Sequence, residues 1–220
     1  VEAASFFDTY VTVHAYTDET VNMALDAGAQ CVEHGQMVSE ATVKRMADEG
    51  IFWALNVAGM DPALLDHPNF AMPTVKPKLQ MFLDGSKDLA KYVKKHKPKI
   101  VHNVDTVLST ISFGRAHRDF EKFYFAQMFG NFEALKSMTS TAGELAQLTN
   151  KRNPYPDGKL GVIEKGAYAD ILIVDGNPLE DLSCLGANPK WFDAPERDRG
   201  FDTINVIMKD GKFYKNTLNN

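Results

Sequence analysis

Between residues 10 and 55 the sequence changes its hydrophobic period four times, and that alternation constrains the fold more than any other feature. Apolar, β-branched runs at 10–15, 30–33 and 51–55 read as strands. In the first interval Thr17 can cap a helix whose apolar positions Val21, Ala24 and Leu25 fall on one face, and Gly28 ends it. In the second, Ser39 is the cap, Val43, Met46 and Ala47 carry the helical spacing, and Gly50 is the stop. Strand, helix, strand, helix, strand within about 45 residues is the pattern of βαβ units, whose strands lie parallel.

Further along, Gly59, Pro62, Pro68 and Pro73 break the rhythm over residues 56–73. A connection this long suits a lid or a substrate wall, and Asn56 and the loop after it are candidates to line a pocket. A long helix is expected over 75–95, with Gly85 as a point of interruption and Pro98 as its stop, then a fourth strand over 99–104. Helices are expected at 119–128 and 131–148, the second capped by Asn131 with Phe132, Leu135 and Met138 as its apolar face. After residue 150 the composition turns to turn-formers and β-branched residues. A strand at 171–174 is followed by a hairpin of 204–208 with 212–214, joined through Asp210-Gly211. We therefore expect two parts, 1–150 and 151–220, the second a small β-rich domain that so few strands cannot complete.

Charge and cysteine usage narrow the function classes. A formal net charge of −5 argues against nucleic acid, and the one basic run, the lysines of 91–99, reads as a solvated helix end. No run approaches the length of a membrane span, so no membrane partner is expected. The chain opens at Val1 in what reads as a helix tail, which leads us to expect a fragment whose targeting signal would lie upstream; a cytoplasmic location is favoured. Cys31 and Cys184 form no paired motif, and Cys31, within a buried-strand pattern, reads as a core residue.

Three stretches carry chemistry: Val13-His14-Ala15-Tyr16, Val32-Glu33-His34-Gly35 and Asn103-Val104-Asp105-Thr106. Each ends a strand-like run with a metal-capable side chain. In a β/α barrel the strand C-termini share one mouth, so such residues converge although they are distant in sequence. Imidazole suits Zn²⁺ or a similar cation, and a carboxylate can hold a metal through one oxygen and take a proton from activated water through the other. Each could equally be a satisfied polar residue at a strand end, and spacing alone leaves the two readings even.

These stretches resemble the C-terminal half of an amidohydrolase-superfamily enzyme, of the branch that includes imidazolonepropionase-like proteins and prolidase-like dipeptidases. The match continues through Ala134-Leu135-Lys136-Ser137-Met138-Thr139, Gly161-Val162-Ile163-Glu164-Lys165-Gly166-Ala167-Tyr168-Ala169-Asp170-Ile171, Asp175-Gly176-Asn177-Pro178-Leu179 and Val206-Ile207-Met208-Lys209-Asp210-Gly211-Lys212. The resemblance implies an α/β fold: the C-terminal half of a (β/α)8 TIM barrel followed by part of a small β-sandwich. It implies His14 and His34 as metal ligands, Asp105 as ligand and general base, and Tyr16 as a substrate contact. The implied cofactor is a divalent metal, Zn, one or two ions in a complete enzyme and none necessarily in this chain. The implied reaction is hydrolysis of a C–N bond in a small-molecule amide, dipeptide or cyclic amide, with deamination and an inactive scaffold as alternatives. His117, close after Asp105, matches no ligand position, nor do His67, His96 and His102.

The sequence also departs from the family. It lacks the His-x-His of a first barrel strand and the lysine of a fourth, and Asn103-Val104 stands where Gly-Thr is more usual. The expected partner is accordingly a missing N-terminal half or a second chain, homo-oligomers included, because a half-barrel leaves two sheet edges and an apolar interior open.

Overall fold

A computed structural model describes residues 1–106, 110–195 and 201–218. The chain divides into two compact units, Val1–Asn103 and Val104–Asn220. The first begins with a short helix α1 (Glu2–Phe6) and continues β1 (Thr12–Thr17), α2 (Asp18–Asp26), β2 (Cys31–Met37), α3 (Glu40–Asp48) and β3 (Phe52–Leu55). Two 3₁₀ turns, Ala58–Met60 and Pro62–Asp66, then lead to α4 (Lys76–Ser86), α5 (Leu89–His96) and β4 (Lys99–His102). The four strands form one sheet in the order β1-β2-β3-β4, every pair parallel, as the alternation requires. All four residues of β3 are buried, as is usual for a parallel strand covered on both faces. Helix α2 buries Val21, Ala24 and Leu25, and Thr17 caps it through a reciprocal pair with Thr20.

Several local expectations need correction. Ser39 occupies the N-cap position of α3 but makes no capping bond; its hydroxyl and its N–H both donate to Asp18 Oδ1, at 3.0 and 2.8 Å, which ties α3 to α2. The long helix is two helices. It breaks between Ser86 and Leu89, while Gly85 stays helical: a Cβ there would sit 2.9 Å from Met37 Cγ of β2, so this glycine serves close packing. Lys97 ends α5 in the left-handed region immediately before Pro98.

The second unit contains α6 (Ile111–Phe129), α7 (Asn131–Met138), α8 (Ser140–Gln147) and the strands β5 (Ile171–Val174), β6 (Ile204–Lys209) and β7 (Lys212–Asn216). Gly130, not Asn131, is the N-cap of α7; Asn131 donates to the Leu179 carbonyl. Phe132 is exposed and the buried positions of α7 are Ala134 and Ser137, because the helix buries its small residues. The strands form an antiparallel sheet, β5-β6-β7. Asp210 and Gly211 both have positive φ, the conformation of a type I′ hairpin turn. The change of composition at residue 150 falls inside this unit. Among the described residues, no helix is long and apolar enough to cross a membrane.

Candidate active site

The parallel pairing of β1 with β2 brings two predicted residues together, although each was expected to end its strand and instead lies within it, because the strands run on to Thr17 and Met37. His14 Nδ1 lies 2.8 Å from His34 Nε2, with ring centroids 4.8 Å apart. Tyr16, two residues beyond His14, stacks on the His34 ring at 4.6 Å with the planes 7° apart. The sandwiched His34 is 2% exposed, whereas His14 and Tyr16 face solvent.

His34 reaches this position through an interruption of the pleat. In a regular strand, successive side chains alternate faces, so Glu33 and His34 would point oppositely. Yet Glu33 Oε1 accepts from Thr12 Oγ1 at 2.7 Å, and His34 meets His14 and Tyr16, residues that share a face of β1. The break is a bulge. Ala15 pairs with His34 and Thr17 with Met37, so β2 carries one residue more than β1 across this interval. His34 has φ +75° and Gly35 φ +66°, both left-handed, and this turns the imidazole to the Glu33 face. The Trp53 indole N–H donates to the His34 carbonyl and holds the turned peptide. A Cβ at Gly35 would stand 2.7 Å from Trp53 Nε1, so no larger residue fits.

Polar residues around the pair restrain it further. Asn56 Oδ1 lies 3.0 Å from His34 Nδ1, and Gln36 Nε2 donates to both Asn56 Oδ1 and the Asn56 carbonyl. Glu33 also accepts from Asn103 Nδ2 at 2.8 Å, linking β2 to the residue just past β4. Asn56, a candidate to line the pocket, backs the imidazole. Gln36 and Trp53 were not anticipated; a glutamine inside a buried strand, two residues past a candidate ligand, was the available signal.

Asp105 opens the second unit, exposed and with φ +52°, another left-handed residue outside glycine. Thr106 Oγ1 lies 3.4 Å from His117 Nδ1. Burial holds the His117 imidazole below its ordinary pKa, an effect that the charge of Asp105 partly offsets. His117 also stacks on Trp191 at 4.4 Å. The structure joins His14 to His34; Asp105 belongs to a unit described by itself. His96 is engaged elsewhere, pairing with Glu40 at 2.9 Å, and His67 accepts the Asn69 N–H. Cys31 is fully buried and its thiol is pushed up to about 11 by burial, which fits a core residue.

Chemically, the histidine pair fits part of a metal site. Two imidazole nitrogens 2.8 Å apart share one proton, and a borderline cation can replace a proton held between such donors. A catalytic zinc takes three protein ligands, and no group of three or more His, Cys, Asp or Glu side chains gathers among the described residues. By itself the pair offers two donors, one fewer than such a zinc takes.

Comparison with known proteins places these observations. No family model matches the chain. Ochratoxinase of Aspergillus niger is 23% identical over 221 residues, 98% of this chain and 40% of that protein. Among solved structures, a prolidase complexed with N-methylphosphonate-L-proline is 27% identical with a TM-score of 0.73, over 98% of this chain and 47% of that one. An amidohydrolase is 25% identical with a TM-score of 0.75, over 99% and 47% respectively. The chain thus spans less than half the length of these relatives. The resemblance to the amidohydrolase superfamily is borne out, on its prolidase side, and the relatives are hydrolases.

Proposed function

We propose that this chain is the C-terminal part of a metal-dependent hydrolase of the amidohydrolase type that cleaves a C–N bond in a small amide, dipeptide or cyclic amide. The observation that carries this reading is the convergence of His14 Nδ1 and His34 Nε2 at 2.8 Å across a bulge that exists to turn His34 inward. The relatives supply the reaction class: a prolidase and an ochratoxinase hold the same fold over this stretch.

In this reading His14 and His34 would hold a divalent cation, zinc by the nature of the donors, and Asp105, which follows β4, would act as a further ligand and as the general base, as the family resemblance implies. When bound, the cation supplies Lewis-acid activation of water and of the scissile carbonyl. The protein's own residues do the rest. Asp105 would accept the proton of the attacking water and deliver it to the leaving nitrogen, a role a carboxylate can fill. Tyr16, exposed on the rim and stacked on His34, offers a face and a hydroxyl to substrate while keeping the imidazole plane fixed. The four parallel strands correspond to half of a (β/α)8 barrel over residues 1–150, and the three-stranded sheet to part of a β-sandwich over 151–220. Further ligands come from a segment or chain outside these residues.

Metal analysis and turnover of the complete parent test the proposal. Bound zinc, with Asp105→Asn lowering kcat at least a thousandfold while zinc is retained, is the expected outcome. A parent that folds, binds no divalent metal and turns over no amide would instead make this a binding scaffold.

A further inference from the structure

We propose that Gln36 and Asn56 form a positioning relay that fixes the tautomer of His34, holding its proton on Nδ1 and its lone pair on Nε2, toward His14. The inference rests on the reading of His34 as a ligand only for its purpose; the relay itself is argued from donors and acceptors.

Gln36 Nε2 lies 2.9 Å from the Asn56 main-chain carbonyl, which can only accept, so the amide group facing it is the NH2. That NH2 has a second hydrogen, directed at the Asn56 side-chain atom 2.8 Å away, which must be oxygen. The Asn56 Oδ1 so defined is 3.0 Å from His34 Nδ1 and cannot donate to it. His34 Nδ1 therefore carries the proton, and a neutral imidazole protonated there has its lone pair on Nε2. Nε2 is the nitrogen 2.8 Å from His14. Three consecutive contacts, anchored on one main-chain carbonyl, thus transmit a fixed polarity to the site.

A second observation supports a role beyond packing. Gln36 is 1% exposed, and its Oε1 is buried with no hydrogen-bond partner among the described residues. Turning the amide over would set its oxygen against the Asn56 carbonyl, so the orphaned oxygen is a consequence of presenting the NH2 to Asn56. A partner behind a ligating imidazole fixes ring orientation and raises ligand basicity.

The test is ¹⁵N NMR of histidine-labelled, metal-free 220-residue chain above the titration range of imidazole. His34 is expected to show a protonated Nδ1 and an unprotonated Nε2. Asn56→Leu should give a mixture of tautomers, whereas Asn56→Asp, which still accepts at the same place, should keep the original one. Gln36→Met, which frees the Asn56 amide to rotate, should also give a mixture. Circular dichroism identifies any variant that fails to fold, and the wild-type spectrum decides even then. A proton on His34 Nε2 in the wild type, or an unchanged tautomer in folded Asn56→Leu, overturns the relay. Metal analysis of the complete parent separates it from the proposed function: the expected tautomer in the 220-residue chain, with a folded parent that binds no divalent metal, leaves the relay standing and removes the metal reading.

Discussion

His34 is the residue at which β2 gives up its alternation, and most of the site follows from that. From sequence, His14 and Asp105 are recognisable as polar residues on or just after strand-like runs, and the place of His34 in the order of strands is equally plain. Its orientation is not. Strict alternation groups His34 with Val32, away from Glu33, and only the left-handed φ of +75° reverses that. The Gln36–Asn56 support escaped for a related reason, since both partners become adjacent through the pairing of β2 with β3. This makes Gly35 the most exposed point of failure. Gly35→Ala places a Cβ 2.7 Å from the buried Trp53 indole at a φ of +66°. We expect a loss of about 2–4 kcal/mol in urea unfolding, as for other strained, overpacked positions, together with loss of the His14–His34 contact by NMR. Trp53→Phe, which removes only the indole donor to His34, should cost less, about 1–2 kcal/mol. A Gly35→Ala variant as stable as wild type would show that the bulge is not needed.

Among the elements, the βαβ rhythm was legible because each strand and helix carries its own period and its own stop. The segmentation of residues 75–95 was not, since Gly85 looks like a breaker by propensity and is in fact a contact. Propensity and packing therefore give opposite signs for Gly85→Ala. Alanine gains up to about 1 kcal/mol of helix propensity, but its Cβ would press on Met37 Cγ and Cβ at 2.9 and 3.2 Å. We expect packing to prevail and the variant to unfold at lower urea; a rise in midpoint would refute the close approach of α4 to β2. The junction of α3 with α5 gives a pH prediction. Glu40 Oε1 accepts from Lys95 Nζ at 2.5 Å and His96 Nε2 at 2.9 Å, and these partners, Lys95 foremost, lower its carboxyl to about 2. A folded pKa below the ordinary 4.5 means the contribution is whole above about pH 4.5 and fades as pH falls toward 2. The stability gap between wild type and Glu40→Gln should accordingly shrink over that window, and a gap that widens there would contradict the pairing. The pair is exposed, so the gap will be small.

For the molecule as a whole, the decisive feature is apolar surface left over after the two sheets have formed. The β1 and β4 edges of the parallel sheet have no strand partner among the described residues, and neither do the β5 and β7 edges of the antiparallel one. On the small sheet Leu172, Phe213 and Tyr214 are 50%, 60% and 71% exposed. Within the same unit, Leu135, Met138, Leu160, Ile171 and Val174 line an open cavity of about 690 Å³. Exposed strands with apolar side chains template pairing with other chains, and three strands cover only one side of an apolar face. The relatives are about twice as long as this chain, which is where covering segments would come from. The 24.5 kDa chain on its own should therefore self-associate. Size-exclusion chromatography with light scattering should show a mass that rises with protein concentration, and Leu172→Lys with Phe213→Lys should shift it toward the monomer. A wild-type chain that instead runs as a monomer at every concentration and unfolds in one cooperative step would show that these surfaces need no cover.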